Sequence, residues 1–115
     1  MLSSRTMTDD ELIAFALSLP EATESSHFGN RDFRVRGKIY LALPGLDFCV
    51  VKLTPDQQQM ALATAPDLVV AVPGGWGTKG WTRLSHLTTD EGTIRALVRQ
   101  AWRNVAPKSM VLPEG

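Results

Sequence analysis

The sequence predicts a single α+β domain in which an antiparallel sheet packs on helices, in the order helix, three strands, helix, strand, helix. Three observations carry that expectation. Two capping boxes and a Thr-Pro-Asp start mark three helices, the hydrophobic period falls from near 3.6 to near 2 between His27 and Leu53, and apolar residues make up 43% against 21% charged. With 115 residues, the chain is long enough to bury roughly two-thirds of the surface its unfolded form exposes. The domain is expected over residues 8–108, with 1–7 and 109–115 as tails.

The first helix starts at Thr8-Asp9-Asp10-Glu11, where a hydroxyl and a carboxylate three residues apart satisfy each other's backbone N–H groups. Leu12, Ile13, Ala16 and Leu17 give it one apolar face, and Pro20 ends it. A polar linker, EATESS, follows. In DFRVR, Phe33 and Val35 point to one face while Asp32, Arg34 and Arg36 point to the other. Gly37-Lys38 offers a hairpin turn into IYLAL, and Pro44-Gly45-Leu46-Asp47 a second into FCVVKL, completing a three-stranded meander. FCVV is apolar on both faces, as a central strand would be.

Thr54-Pro55-Asp56 supplies an N-cap, a proline at the first helical position and an acid at the positive helix end. Pro66 closes that helix. LVVAVP is a short apolar run, and WTRLS is a further strand. Thr88-Thr89-Asp90-Glu91 is the second capping box, opening the longest helix, whose apolar face carries Ile94, Leu97, Val98, Ala101, Trp102 and Val105.

Charge narrows the function classes. Net charge is zero, so bulk attraction to nucleic acid is absent. The distribution is uneven: five acids stand against Arg5 alone up to Glu24, whereas Arg31 to Lys108 holds eleven bases and six acids. No apolar run approaches the ~20 residues of a membrane span, and Asp9, Asp10 and Glu11 precede the first apolar stretch where a signal peptide needs positive charge. Cys49 has no partner for a disulfide. A cytoplasmic protein that makes no membrane contact is expected, and a monomer.

The stretch PGGWGTKGWTRL, Pro73 to Leu84, is the most suggestive chemically. Gly75 to Gly80 matches G-x-G-x-x-G, but a strand follows where phosphate binding needs a helix, and the lysine context does not suit a P-loop. The glycines read instead as positive-φ positions in a long loop, with Trp81 anchoring the next strand in the core. Trp76, flanked by glycines, is a candidate stacking platform beside Lys79 and Arg83. Arg34, Arg36 and Lys38 offer phosphate contacts from the sheet and its turn, with Lys52 a further candidate. Arg95, Arg99 and Arg103, four residues apart, make a second basic surface on the last helix.

Catalytic and metal signals are thin. Ser25-Ser26-His27 and Ser85-His86 are neighbours in sequence, which says nothing of the geometry a catalytic pair needs. Two histidines and one cysteine match no metal-ligand spacing, and no cofactor is expected.

Taken together, ALSLPEATES, HFGNRDFRVRGKIYLAL, VKLTPDQ, GWTRLS and AWRNVAPK, spanning about Leu12 to Lys108, resemble the MmcQ/YjbR family of small bacterial proteins. The resemblance implies a CyaY-like α+β domain and a DNA-binding role through a double-wing arrangement. Its motif positions here are His27-Phe28-Gly29, Phe33, Lys38 and Gly80-Trp81, each suited to a turn or core. The expectation is a non-enzymatic protein contacting double-stranded DNA through Arg34, Arg36, Lys38, Trp76, Lys79 and Arg83. The alternative is a module that takes a protein segment or small molecule in a groove between the sheet and the last helix.

Overall fold

The computed structural model describes residues 6–27, 30–44, 48–87, 89–110 and 112, with the backbone alone at His27. Helix α1 (Asp9–Ser18) precedes strands β1 (Ala22–His27), β2 (Asn30–Val35), β3 (Lys38–Leu43) and β4 (Cys49–Lys52). Helix α2 (Pro55–Thr64), strand β5 (Val69–Ala71), a single helical turn α3 (Gly75–Thr78), strand β6 (Trp81–Leu84) and helix α4 (Glu91–Val105) follow. The six strands form one antiparallel sheet in the order β1-β2-β3-β4-β6-β5. The α+β order expected from the sequence is present, with β1 and β5 added at the two edges.

Helix starts follow local chemistry. At α1, Thr8 Oγ1 accepts from the Glu11 N–H at 3.2 Å and the Glu11 carboxylate accepts from the Thr8 N–H at 3.0 Å. At α2, Thr54 is the cap, Pro55 occupies the first turn, and Gln57 completes a further box. The start of α4 differs from expectation. Its cap is Asp90, whose carboxylate accepts from the Thr93 N–H at 2.9 Å and the Thr93 hydroxyl at 2.7 Å. Those bonds hold the Asp90 carboxyl below its ordinary range; Thr88, the expected cap, lies outside the described residues.

Two further departures concern the sheet. The expected linker at Glu21 to Ser26 is mostly strand, because β1 pairs with β2 from Ala22 opposite Val35 to His27 opposite Asn30. An edge strand open to solvent needs no apolar alternation. The β2–β3 turn centres on Arg36 and Gly37, with φ of 51° and 83°, one residue earlier than expected. Positive φ at both central positions gives the twist a two-residue hairpin requires. Arg36 therefore belongs to the turn rather than to the strand face.

Within the meander, β3 carries a bulge. Phe33 faces Leu41 and Arg34 faces Ile39, so Tyr40 has no opposite number. Tyr40 and Leu41 are both fully buried, and the Tyr40 hydroxyl donates to the Ala16 carbonyl at 2.9 Å. Ile39 is turned to the other face, beside Ala42.

Helices α1, α2 and α4 cover one face of the sheet. Leu12, Phe15 and Ala16 of α1 and Ile94, Val98, Ala101 and Trp102 of α4 meet Phe33, Val35, Leu41, Cys49, Val51 and Leu84. The Trp102 indole donates to the Pro20 carbonyl at 3.0 Å. His86 is buried with Nε2 2.6 Å from Asp9 Oδ1, tying the loop after β6 to α1. Burial pushes the Cys49 thiol up to about 12. No helix among the described residues is long and apolar enough to cross a membrane.

The glycine-rich stretch is held by close backbone contacts. The amide of Gln58, buried on α2, lies 3.2 Å from the Gly77 carbonyl, 3.1 Å from the Trp81 carbonyl and 3.1 Å from Thr82 Oγ1. At Gly80, φ is 106° and an added Cβ would stand 1.9 Å from the Leu53 carbonyl oxygen. Gly80→Ala is expected to lower stability by about 2–4 kcal/mol in urea unfolding, through forbidden φ and a backbone clash together. An unchanged midpoint would contradict this close approach. Cys49 is expected to resist a thiol reagent at pH 8 in the folded protein and to react on unfolding. Because its folded ionisation lies above the ordinary 9.0, its contribution to stability is full below that value and is lost as pH rises toward 12.

Candidate functional site

The sheet face opposite the helix layer is open, and its strand alternation decides what it displays. Register pairs Val50 with Arg83 and Lys52 with Trp81, putting all four on this face, while Cys49, Val51, Thr82 and Leu84 point to the core. Trp81 is thus half-buried on the open face, and the core-facing anchors of β6 are Thr82 and Leu84. Trp81 was expected in the core; one position of register decides the difference.

Three cations on this side stand over aromatic rings. Lys52 Nζ is 5.2 Å from the Trp81 ring centroid, Lys79 Nζ 6.0 Å from that of Trp76, and Arg83 Cζ 4.7 Å from that of Phe48. Lys52 also donates to the Lys79 carbonyl at 2.9 Å. Its ammonium is shifted below the ordinary lysine range, first by burial and then by the nearby Lys79 charge. Two lysines that repel one another are a place an anion would relieve. Among the described residues, none of these three cations is paired with a carboxylate.

Trp76 projects from α3 with 62% of its surface exposed. Its ring meets that of Trp81 edge to face, with centroids 6.0 Å apart and planes inclined by 70°. Together they wall a shallow pocket of about 230 Å³, floored by Ile39, Ala42, Val50 and Val72 and bordered by Asn30 and Pro44.

The other expected contacts are placed differently. Arg34 lies on the open face, but its Nε and Nη2 grip Asp32 at 2.8 and 3.2 Å, and Asp32 is only 3% exposed. Arg36 grips Glu21 at 3.1 and 3.2 Å from the turn. Hydrogen bonding to the carboxylate raises each arginine above its ordinary range and lowers Glu21. Both forks are already occupied by carboxylates. Lys38 is exposed at the start of β3. The structure therefore brings Trp76 and Lys79 together with Trp81 and Lys52, places Arg83 two residues from Trp81 on the same strand face against Phe48, and holds Arg34 and Arg36 in ion pairs of their own.

The second basic surface belongs to the helix layer on the far side of the sheet. Arg95 pairs with Glu91 at 2.8 Å, and Arg95 and Arg99 lie 4.8 and 5.3 Å from the Phe15 ring of α1. Arg103 is exposed near the end of α4. A larger groove, about 650 Å³, runs between α2 and α4 over Val69, past Met60, Ala61 and Leu97. Asp56 and Asp90 stand at its rim, so its charge is wrong for a phosphate. His86 has its acid neighbour but is fully buried and lines none of these grooves. Among the described residues, no three of His, Cys, Asp or Glu are grouped to hold a metal ion.

A family model described as YjbR matches residues 17–104. The chain belongs to the YjbR family. The YjbR match begins inside α1 and ends inside α4, so it includes the whole sheet and the open face. The chain is similar in fold to the crystal structure of Deinococcus radiodurans protein DR2400, whose domain is DUF419, with a TM-score of 0.77 at 18% identity. The similarity covers 96% of this chain and 86% of that one. No curated protein matches the sequence.

Sequence reasoning missed Phe48, Asn30 and Ile39 as parts of this surface. For Phe48 the signal was present, since it shares the alternation of Val50 and Lys52; Ile39 reaches the face only through the bulge. Trp76→Phe is expected to remove most acrylamide-quenchable tryptophan emission, because Trp102 is only 1% exposed and Trp81 is half-covered. Undiminished quenching in that variant would mean that Trp76 is not the exposed ring.

Proposed function

We propose that this is a cytoplasmic, non-enzymatic protein that binds nucleic acid through the open sheet face around Trp76. The observation that carries the reading is the convergence of Lys52, Lys79 and Arg83 on an exposed aromatic surface, without carboxylate partners among the described residues. Phosphate oxygens suit the cations and base faces suit the rings. The DNA-binding role implied by the family resemblance agrees with this face, with its centre moved away from Arg34 and Arg36. Their ion pairs with Asp32 and Glu21 would have to open before either could take a phosphate. Since net charge is zero, affinity comes from these local contacts rather than from the field of the whole protein.

A second reading rests on Met60, 69% exposed over the apolar groove between α2 and α4. That groove would take a protein segment or an apolar small molecule, with little dependence on salt.

Fluorescence anisotropy of labelled DNA, at low and then near-physiological salt, tests the first reading. Lys79→Gln with Arg83→Gln is expected to weaken binding about 10-fold or more and to reduce the salt slope by about 2. Arg34→Ala with Arg36→Ala is expected to change affinity little. Absence of binding at low salt, or equal binding by the Lys79/Arg83 variant, would overturn the reading.

A further inference from the structure

We infer that the nucleic acid taken by this face is single-stranded, with one unpaired base seated in the corner between Trp76 and Trp81. The inference rests on the nucleic-acid reading above and specifies its ligand.

The corner is concave and lined by rings. Two indoles inclined by 70° with centroids 6.0 Å apart, over a floor of Ile39, Ala42, Val50 and Val72, leave about 230 Å³ for a flat group. A base inside a duplex hides its faces in the stack and its edge in the pair, so it has no surface to offer such a corner. Extruding it costs a few kcal/mol, which a single strand does not incur.

Asn30 is the one polar, non-aromatic residue among the described residues lining the pocket. Its planar amide carries a donor and an acceptor side by side, matching the edge of an unpaired base. Lys52 and Lys79, close enough to feel each other's charge, are placed to share the phosphate of that nucleotide. Arg83 extends the positive surface along β6.

The same face is poorly made for a duplex. Major-groove reading uses an inserted helix or a two-stranded ribbon. The long helices lie on the other side of the sheet, and α3 is a single turn of four residues. Trp76 leans against Trp81 as a wall of a pocket rather than standing free as a wedge.

The test compares a labelled mixed-sequence ten-nucleotide single strand, the same strand in a duplex, and a free mononucleotide as competitor. The single strand is expected to bind at least about 10-fold tighter than the duplex, with a salt slope of about −1.4 for two neutralised phosphates, one shared by Lys52 and Lys79 and one held by Arg83. Trp76→Ala is expected to weaken single-strand binding by about 5- to 150-fold, the range for losing one base–aromatic stack, with its unfolding midpoint unchanged. Trp76→Phe should restore most of the affinity, and Asn30→Ala should reduce discrimination among bases. Equal or tighter duplex binding would overturn the single-strand inference while leaving the nucleic-acid reading standing. No binding of either form at low salt would remove both. A mononucleotide that competes as well as the strand would make this a nucleotide pocket and overturn the inference.

Discussion

At Tyr40, β3 carries one residue more than β2 can pair, and the consequences reach both faces of the sheet. Regular alternation would send Tyr40 outward and Ile39 inward. The bulge reverses both. Tyr40 enters the core and its hydroxyl finds the Ala16 carbonyl, satisfying a buried polar group and setting the height of α1 above the sheet. Ile39 joins Ala42 and Val50 outside, giving the open face the apolar floor on which Trp76 and Trp81 stand. Core packing and candidate ligand surface thus share one irregularity in one strand.

The glycine-rich stretch illustrates a second dependence. Its helical turn is short and has no side-chain cap, so it gains little from its own hydrogen bonds. Order comes from outside, through the Gln58 amide and through the contact of Gly80 with the backbone at Leu53. A side chain at Gly77 would likewise strike the Val72 carbonyl, 1.9 Å from the Cβ position. Glycine is required here by two backbones in contact, and the result is a fixed pedestal for Trp76. Phosphate cradling, the usual suspicion for such a run, needs a helix continuing beyond it, and here a strand follows.

What was legible in the sequence was local. Thr8 with Glu11 specifies a helix start through groups three residues apart, Thr54 with Pro55 does so by a cap and a first-turn proline, and the alternation of Phe33 and Val35 specifies a core-facing strand. FCVV is apolar on both faces, and only the pairing of β4 with β6 decides that Cys49 and Val51 face the core while Val50 lies on the open face. Pairings between distant segments were not legible. Arg36 and Glu21 are fifteen positions apart and meet only because β1 is a strand, which its polar composition concealed. Arg34 and Asp32 are a milder case, since two residues on one strand face are neighbours and their pairing follows from alternation alone. Trp81 shows the reverse error, a large ring assigned to the core by habit when register places it beside Lys52 on the open face. The candidate site was half visible, in Trp76, Lys79 and Arg83. The pocket that gives those residues a shape depends on the bulge and on the β4–β6 register.

An open sheet has two rims, and each is a template for another chain's backbone. One rim here is β1, Ala-Thr-Glu-Ser-Ser-His, with an ion pair from Glu24 to Arg31 at 3.1 Å beside it. The other is β5, three residues long. A foreign strand docking on β1 would have to dehydrate a charged carboxylate and hydroxyls, and on β5 it would find too few hydrogen bonds to hold it. The composition that hid β1 from a hydrophobic-pattern reading is the one that discourages these molecules from joining edge to edge into aggregates, leaving the apolar corner on the sheet face available to something smaller.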